Sequence, residues 1–255
     1  MSPSEDVIYG RYPVLEALRG DREVEKVVLV RGTRWTGILS EIVAEAHRQG
    51  VPVQPLSRAA LDRLADGGNH QGVVAHVAAY RYADLDDVLA ASTQRDEPAF
   101  LLLLDCVQDP QNLASLLRTA EAVGVHGVVF PQRRAVGVTA AVVKASAGAV
   151  EHLTIARVTN LVRAIETLQA ADIWVLGLER TPESQRYDQV DLTMPLAWVV
   201  GNEGRGLGRL VRERCDVLVD LPIRGRTSSL NAAVAGSIAL YQTWLRRYGV
   251  PPKSR

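Results

Sequence analysis

Along the first third of the chain, apolar and polar positions alternate in short blocks whose period keeps changing. A β-branched run at Val24–Val30, a shorter one at Val51–Pro55 and a third at Gly72–Val77 read as strands. Between them, apolar residues return every three or four positions over Thr36–Gln49 and Ser57–Ala65. That spacing predicts two helices, the second with Ser57 as its N-cap. From Ala99 the pattern coarsens. Ala99–Val107 is almost wholly apolar, as expected of a parallel strand covered on both faces. Gly127–Phe130, Ile173–Leu178, Leu196–Gly201 and Val217–Ile223 predict further strands, and Asn112–Val123, Thr139–Ala147, Asn160–Ala171 and Leu230–Tyr248 predict helices. Strands alternating with helices imply an α/β layered domain with a mainly parallel sheet.

Residues 80–98 gather Asp84, Asp86, Asp87, Asp96 and Glu97 around one short helical stretch, Asp84–Ala91. They read as a linker, which divides the chain into a first domain, 1–79, and a second, 99–255. A length of 255 residues has room for both. No internal repeat or low-complexity tract interrupts them. The longest apolar runs, Phe100–Leu104 and Met194–Gly201, fall far short of the ~18–20 residues that span a bilayer. Met1–Asp6 is polar and acidic, unlike a signal peptide. No membrane association and a cytoplasmic location are the expectations.

Charge narrows the options only slightly. The 29 Lys and Arg balance 29 Asp and Glu, which argues against a protein held to nucleic acid mainly by bulk charge. Arginine supplies nearly all the positive charge, which suits planar, bidentate contacts to phosphate. Cys106 and Cys215 are the only cysteines and lie far apart, which excludes a disulfide framework or a zinc cluster. They are expected to be small buried residues. The histidines at 47, 70, 76, 126 and 152 show no ligand spacing, and no metal site is expected.

Three segments place glycines and polar side chains just past a predicted strand, where open α/β sheets bind ligands. In Asp105–Ala120, Asp109-Pro110 makes a turn, Asn112 is a candidate N-cap, and Leu113, Leu116, Leu117 and Ala120 form an apolar stripe. Arg118 falls about 100° round from Leu117, at the edge of that stripe. Trp198–Gly208 carries glycines at 201, 204, 206 and 208 around Glu203, without the order of a dinucleotide fingerprint or the Lys-Ser/Thr of a P-loop. In Leu221–Ala235 a basic loop with Arg224 and Arg226 leads into a helix that Ser228 or Ser229 can cap, with Asn231 in its first turn. Each segment also has an ordinary reading: a capped helix with a surface arginine, a solvated turn, a helix start with incidental charges.

Together the segments are far more specific. The order DxxxDPxNxxxxxRTA, GNEGxGL, LPIRGxxxSLNxxVA resembles the three motifs of the SpoU/TrmH-type branch of the SPOUT RNA methyltransferases. Lys144–Leu153 is similar to that family's intermediate segment, and residues 8–78, with Ile8–Leu18 and His70–Val74, to its amino-terminal substrate-binding domain. One departure is Ala114, where the family's motif usually has glycine.

The resemblance implies a SPOUT-type parallel sheet ending in a carboxyl-terminal trefoil knot, preceded by a small α/β RNA-binding domain like that of a ribosomal protein. It implies a homodimer with its active site at the interface, and S-adenosylmethionine (AdoMet) held by backbone groups around Gly201, Leu221, Ile223 and Leu230. Its catalytic set, carried over by position, is Asn112, Arg118, Glu203, Ser229 and Asn231, with Ser229 and Asn112 orienting Arg118 and the ribose. The implied reaction methylates a ribose 2′-hydroxyl of RNA, a guanosine of 23S ribosomal RNA above all. Transfer RNA is the alternative substrate, and a catalytically silent RNA-binding homologue the alternative role. A small-molecule enzyme on a doubly wound sheet fits poorly without a GxGxxG turn. For RNA contacts in the first domain, Arg31, Arg34 and His70 are the candidates.

Overall fold

The computed structural model describes residues 6–249. It forms two units, one running to Arg81 and taking in Val138–His152, the other made of Tyr82–Gly137 and the chain from Leu153 onward.

In chain order the first unit has β1 (Asp6–Tyr9), α1 (Arg11–Arg19), β2 (Val24–Val30), α2 (Ile38–Arg48), β3 (Val53–Leu56), α3 (Arg58–Leu64) and β4 (Val73–Val77). The strands lie in the order β1-β4-β2-β3, with β2 and β3 parallel and the other pairs antiparallel. Ser57 caps α3 by accepting from the Ala60 N–H, as its position predicted. Helix α1 turns Val14, Leu15 and Leu18 into the core, and α2 turns in Leu39, Ile42 and Ala46.

The second unit opens with α4 (Leu85–Thr93), β5 (Phe100–Leu104), α5 (Pro110–Ala122) and β6 (Gly127–Pro131). Residues 82–98 are therefore not the expected linker. Asp84 and Asp87 form a capping box at the start of α4, which buries Val88 against Gly127 in the core. The helix expected at Asp84–Ala91 is formed, but it packs as part of the second unit.

The chain then gives α6 (Ala140–Ala145) and a 3₁₀ turn at Ala149–His152, which belong to the first unit and not, as expected, to the second. The segment packs on α1 and β1, and a buried ion pair ties it there. Arg22 donates to Glu151 at 3.2 Å, to Asp6 at 3.0 Å and to the Ala78 carbonyl at 2.7 Å. Burial pushes the Glu151 carboxyl up, against the opposing pull of Arg22. His152 adds a 2.8 Å contact to Glu16.

The remainder is β7 (Ile155–Val158), α7 (Leu161–Ala170), β8 (Trp174–Leu178), β9 (Gln185–Arg186), β10 (Leu196–Val200), α8 (Arg209–Arg214), β11 (Val217–Asp220) and α9 (Ala232–Tyr248). Seven strands form one sheet in the order β7-β6-β5-β10-β8-β11-β9, every pair parallel. β5 and β10, adjacent at its centre, are buried at every position, which is why they read as unbroken apolar runs. α5 and α9 pack on each other, and Gly236 gives Leu116 and Val200 the space a Cβ would occupy. Trp198 is fully buried and spends its indole N–H on Thr243 of α9 at 2.9 Å.

Candidate active site

The loops after β5, β10 and β11 meet at the carboxyl end of the sheet, stitched together by side chains. Asp105, at the end of β5, accepts from the Gly208 N–H at 2.7 Å. Asn202 donates to the Cys106 carbonyl at 3.0 Å and accepts from Gly204. The glycine-rich segment is closed by a pair of 3.0 Å backbone bonds between Asn202 and Gly206. Gly206 takes φ +64°, and a Cβ at Gly201 would overlap its carbonyl group.

Two caps differ from expectation. α5 is capped by Asp109, which accepts from the N–H groups of Gln111 and Asn112, with Pro110 at the first helical position. That leaves the Asn112 side chain free. α9 is capped by Asn231 itself, not by Ser228 or Ser229. Its Oδ1 accepts from Ala233 and Val234, so its amide nitrogen must point the other way and donates to Asn112 Oδ1 at 3.0 Å. This fixes the Asn112 amide in turn, whose Nδ2 donates to Glu203 Oε1 at 2.7 Å. A directional chain thus runs from the start of α9 across α5 to Glu203, joining three segments far apart in sequence.

Beside it lies a cavity of about 330 Å³. Gly201, Leu221, Ile223 and Leu230 all line it, as do Glu203 and Ser229. Asn112 and Asn231 border a shallower depression between α5 and α9. Arg118 lines neither; it is exposed on α5 and has no hydrogen bond or ion pair among the described residues. Asn112 and Ser229, expected to orient Arg118, make no hydrogen bond to it among the described residues, and Asn112 bonds Glu203 and Asn231 instead. In the first unit Arg31 and Arg34 are exposed, whereas His70 is buried.

Sequence reasoning missed Glu179, just past β8. It lines the cavity with Oε2 buried and unbonded, while Oε1 lies 3.8 Å from Arg212. Burial pushes its carboxyl up, with Arg212 pulling the other way. A polar residue just past an apolar strand was the only signal for it. The two thiols are half-buried and desolvated, Cys106 pushed up to about 11 and Cys215 to about 12, so both stay protonated at neutral pH. Among the described residues no group of His, Cys, Asp or Glu is placed to hold a metal ion, and no helix is long and apolar enough to cross a membrane.

Comparison with known proteins shows the family. The model of the SpoU rRNA Methylase family matches residues 99–241, more than half the chain. The chain belongs to the SpoU family. A second model, RNA 2′-O ribose methyltransferase substrate binding, matches residues 7–83 of this SpoU protein. YacO of Bacillus subtilis, named for the TrmH family of tRNA/rRNA methyltransferases, is 45% identical over 247 residues, 97% of this chain and 98% of YacO. The crystal structure of the SpoU methyltransferase AviRb from Streptomyces viridochromogenes, in complex with AdoMet, matches with a TM-score of 0.78 at 25% identity, covering 95% of this chain and 90% of AviRb. An AdoMet-bound rRNA methyltransferase from Sinorhizobium meliloti has the same fold, with a TM-score of 0.77 at 24% identity and coverage of 96% and 88%. This SpoU protein is accordingly an RNA methyltransferase.

Its cavity fits AdoMet on three counts. Val200, Val219 and Leu230 offer apolar wall for an adenine ring. Gly201 lets the loop after β10 fold back on Gly206, which brings its backbone into the cavity wall. The unbonded oxygen of Glu179 waits for a donor, and AdoMet carries an ammonium group, ribose hydroxyls and a sulfonium charge.

Proposed function

We propose that this enzyme transfers the methyl group of AdoMet to a ribose 2′-hydroxyl of RNA, and that the target is a guanosine of 23S ribosomal RNA. The hydrogen-bonded chain Asn231–Asn112–Glu203 at the lip of the cavity carries the reading, because it links all three motif segments in one place. When bound, AdoMet supplies an electrophilic methyl group. The protein's share is to bring the 2′-oxygen in line with it and to exclude water. Gly201, Leu221, Ile223 and Leu230 hold the donor, and Asn112 and Asn231 keep Glu203 and the glycine-rich loop in place. Ser229, exposed at the cavity edge, orients the ribose. Arg118 holds the phosphate beside the target and orients the 2′-oxygen; a guanidinium has donors only and no acceptor for the proton. The proton therefore leaves the oxygen late and passes to solvent, as the bond to carbon forms and the bond from the sulfonium sulfur to that carbon breaks. The carboxyl-terminal knot belongs to the same reading.

We also propose a homodimer. Val234, Ile238, Tyr241, Leu245 and Tyr248 recur at alternating spacings of four and three along α9, each between 37% and 49% exposed. A seam of that period is what a second copy buries. Gln111 and Ser115 of α5 share the depression beside it, and Arg118 follows them at helical spacing, at the edge of the interface. The double substitution Val234→Glu/Ile238→Glu is expected to give a monomer by sedimentation velocity and to abolish methyl transfer. A variant that sediments like wild type would count against this face.

The function itself is tested with purified enzyme, tritiated AdoMet and total RNA from cells lacking the gene. Label is expected in 23S ribosomal RNA, in dinucleotides that resist alkali because their 2′-oxygen is blocked. Label in transfer RNA would replace the ribosomal target, and no label in any RNA would leave a silent RNA-binding homologue.

A further inference from the structure

We propose that a second cavity, on the first unit, is a phosphate-centred pocket for an unpaired nucleotide of the RNA substrate, gripped by Arg11 and Arg58. The proposal rests on the reading of the chain as an RNA methyltransferase. It names the part of the first unit that takes hold of that RNA.

The cavity encloses about 450 Å³ and is lined by Arg11, Arg58, Thr33 and Gln71 over a floor that includes Val30 and Leu39. Up to residue 78 the chain carries 9 Lys and Arg against 10 Asp and Glu, so two arginines converging on one hollow are not a sample of a basic surface. Both keep donors to spare. Among the described residues Arg58 has no hydrogen bond or ion pair, and Arg11 spends only its Nε, on the Gln71 carbonyl at 3.2 Å. The terminal nitrogens of Arg11 stay open to an acceptor. A pair of anionic oxygens matches that fork, and in RNA it is the two non-bridging oxygens of a phosphate.

The loop that aims Arg11 is built for the purpose. Gln71 sits at φ +55°, a left-handed conformation that side chains other than glycine rarely adopt, and Gly72 follows at φ +90°. In that conformation Gln71 turns both its oxygens toward Arg11, the main-chain one to Nε and the side-chain one to the Arg11 backbone N–H at 3.2 Å. His70 holds the loop. Only 3% exposed, it accepts the Gly72 N–H at Nδ1, so its proton is on Nε2 and is donated to Asp62 at 3.0 Å. His70 is thus a positioning residue and not the RNA contact expected from the sequence. Arg31 and Arg34 flank Thr33 on the exposed loop after β2, which continues the positive rim. Val30 and Leu39 leave apolar floor under the phosphate site for a splayed base, the form in which single-stranded RNA is read.

The test uses the full-length enzyme and a fluorescent 12-residue oligouridylate as probe. Relative to wild type, Arg11→Ala/Arg58→Ala is expected to weaken oligouridylate binding by about tenfold or more. It should flatten the log–log salt dependence by about 1.4, the change expected when two phosphates of a single strand are no longer neutralised. The KM for total RNA should rise with kcat held, and AdoMet affinity and melting temperature should not move. Arg11→Lys/Arg58→Lys, which keeps the charge and loses the fork, should restore the salt slope but only part of the affinity. Should the double alanine variant fail to fold, Arg11→Gln and Arg58→Gln singly decide by the same readouts. If wild type methylates RNA while the variants keep its KM and salt slope, this pocket is wrong and the function stands. If wild type methylates no RNA, the function falls first.

Discussion

Replacing Arg118 with alanine is expected to lower methyl transfer to RNA by about 10²–10³-fold, the scale on which one oriented donor at a reacting centre counts. AdoMet affinity should stay at the wild-type value, because Arg118 does not line the cavity. Stability should shift by less than about 0.5 kcal/mol, since the side chain is exposed and bonded to nothing among the described residues. Its place explains why an unpaired guanidinium is useful here. Gln111, Ser115 and Arg118 follow one another on the outward side of α5, next to the end of the helix that positions Asn112 and Glu203. The lysine variant separates two roles. Lysine keeps a positive charge up to a pKa near ~10.4 and cannot offer the planar fork. If Arg118 anchors and orients, Arg118→Lys retains a minor part of the rate, and its pH–rate profile falls off only as the ammonium loses its proton. If the residue works as a base, the more easily deprotonated lysine should gain rate as pH rises. Comparing single-turnover rates of wild type, lysine and alanine enzymes across pH decides between these. An alanine variant as fast as wild type would remove Arg118 from the mechanism.

The parts of the fold that were legible in sequence are those where one physical demand acts alone. β5 and β10 had to be apolar throughout because both faces are covered, and they read as such. Ser57 was the single capping candidate before α3 and does cap it. Where two residues could meet the same demand, the spacing misled. Asp109 and Asn112 can both cap a helix, and the proline after Asp109, suited to a first helical position, was the signal in favour of Asp109. Ser228, Ser229 and Asn231 stand within four positions, and Asn231 takes the cap while reaching across to Asn112. Long-range partners outside the three motifs were not legible. The segment at 138–152 showed its helix plainly, but its unit depends on partners far off in the chain, packing on α1 and β1 and the bond of Glu151 to Arg22, 129 residues away. β9, two exposed residues long, leaves no periodicity to detect. The same limit applies to the site. The three motifs pointed to the polar residues, Asp105 and Asn202 among them, whereas Glu179 lies outside every motif and joins the cavity only on folding.

Adding one methyl group to the glycine-rich loop is expected to remove AdoMet binding altogether. In Gly201→Ala the new Cβ would overlap the carbonyl carbon and oxygen of Gly206 and lie 2.6 Å from the Leu207 nitrogen. These are backbone atoms, and they are held. Asn202 and Gly206 exchange 3.0 Å hydrogen bonds, and two residues on the Gly208 N–H is tied to Asp105 at 2.7 Å. Relief requires opening this closure, which displaces Glu203 from Asn112 and withdraws one wall of the cavity. The strain should lower stability by about 1–3 kcal/mol, and calorimetric titration should detect no AdoMet binding at concentrations that saturate wild type. Glycine content as such is not the requirement. At Gly204, in the same loop, a Cβ meets only Asn202 Oδ1 at 3.7 Å, and at Gly225 it meets nothing within 4 Å. Neither has the backbone conformation that excludes alanine, so Gly204→Ala and Gly225→Ala should each keep stability within about 0.5 kcal/mol of wild type. Full AdoMet affinity in Gly201→Ala would mean that the loop after β10 is not where the methyl donor is held.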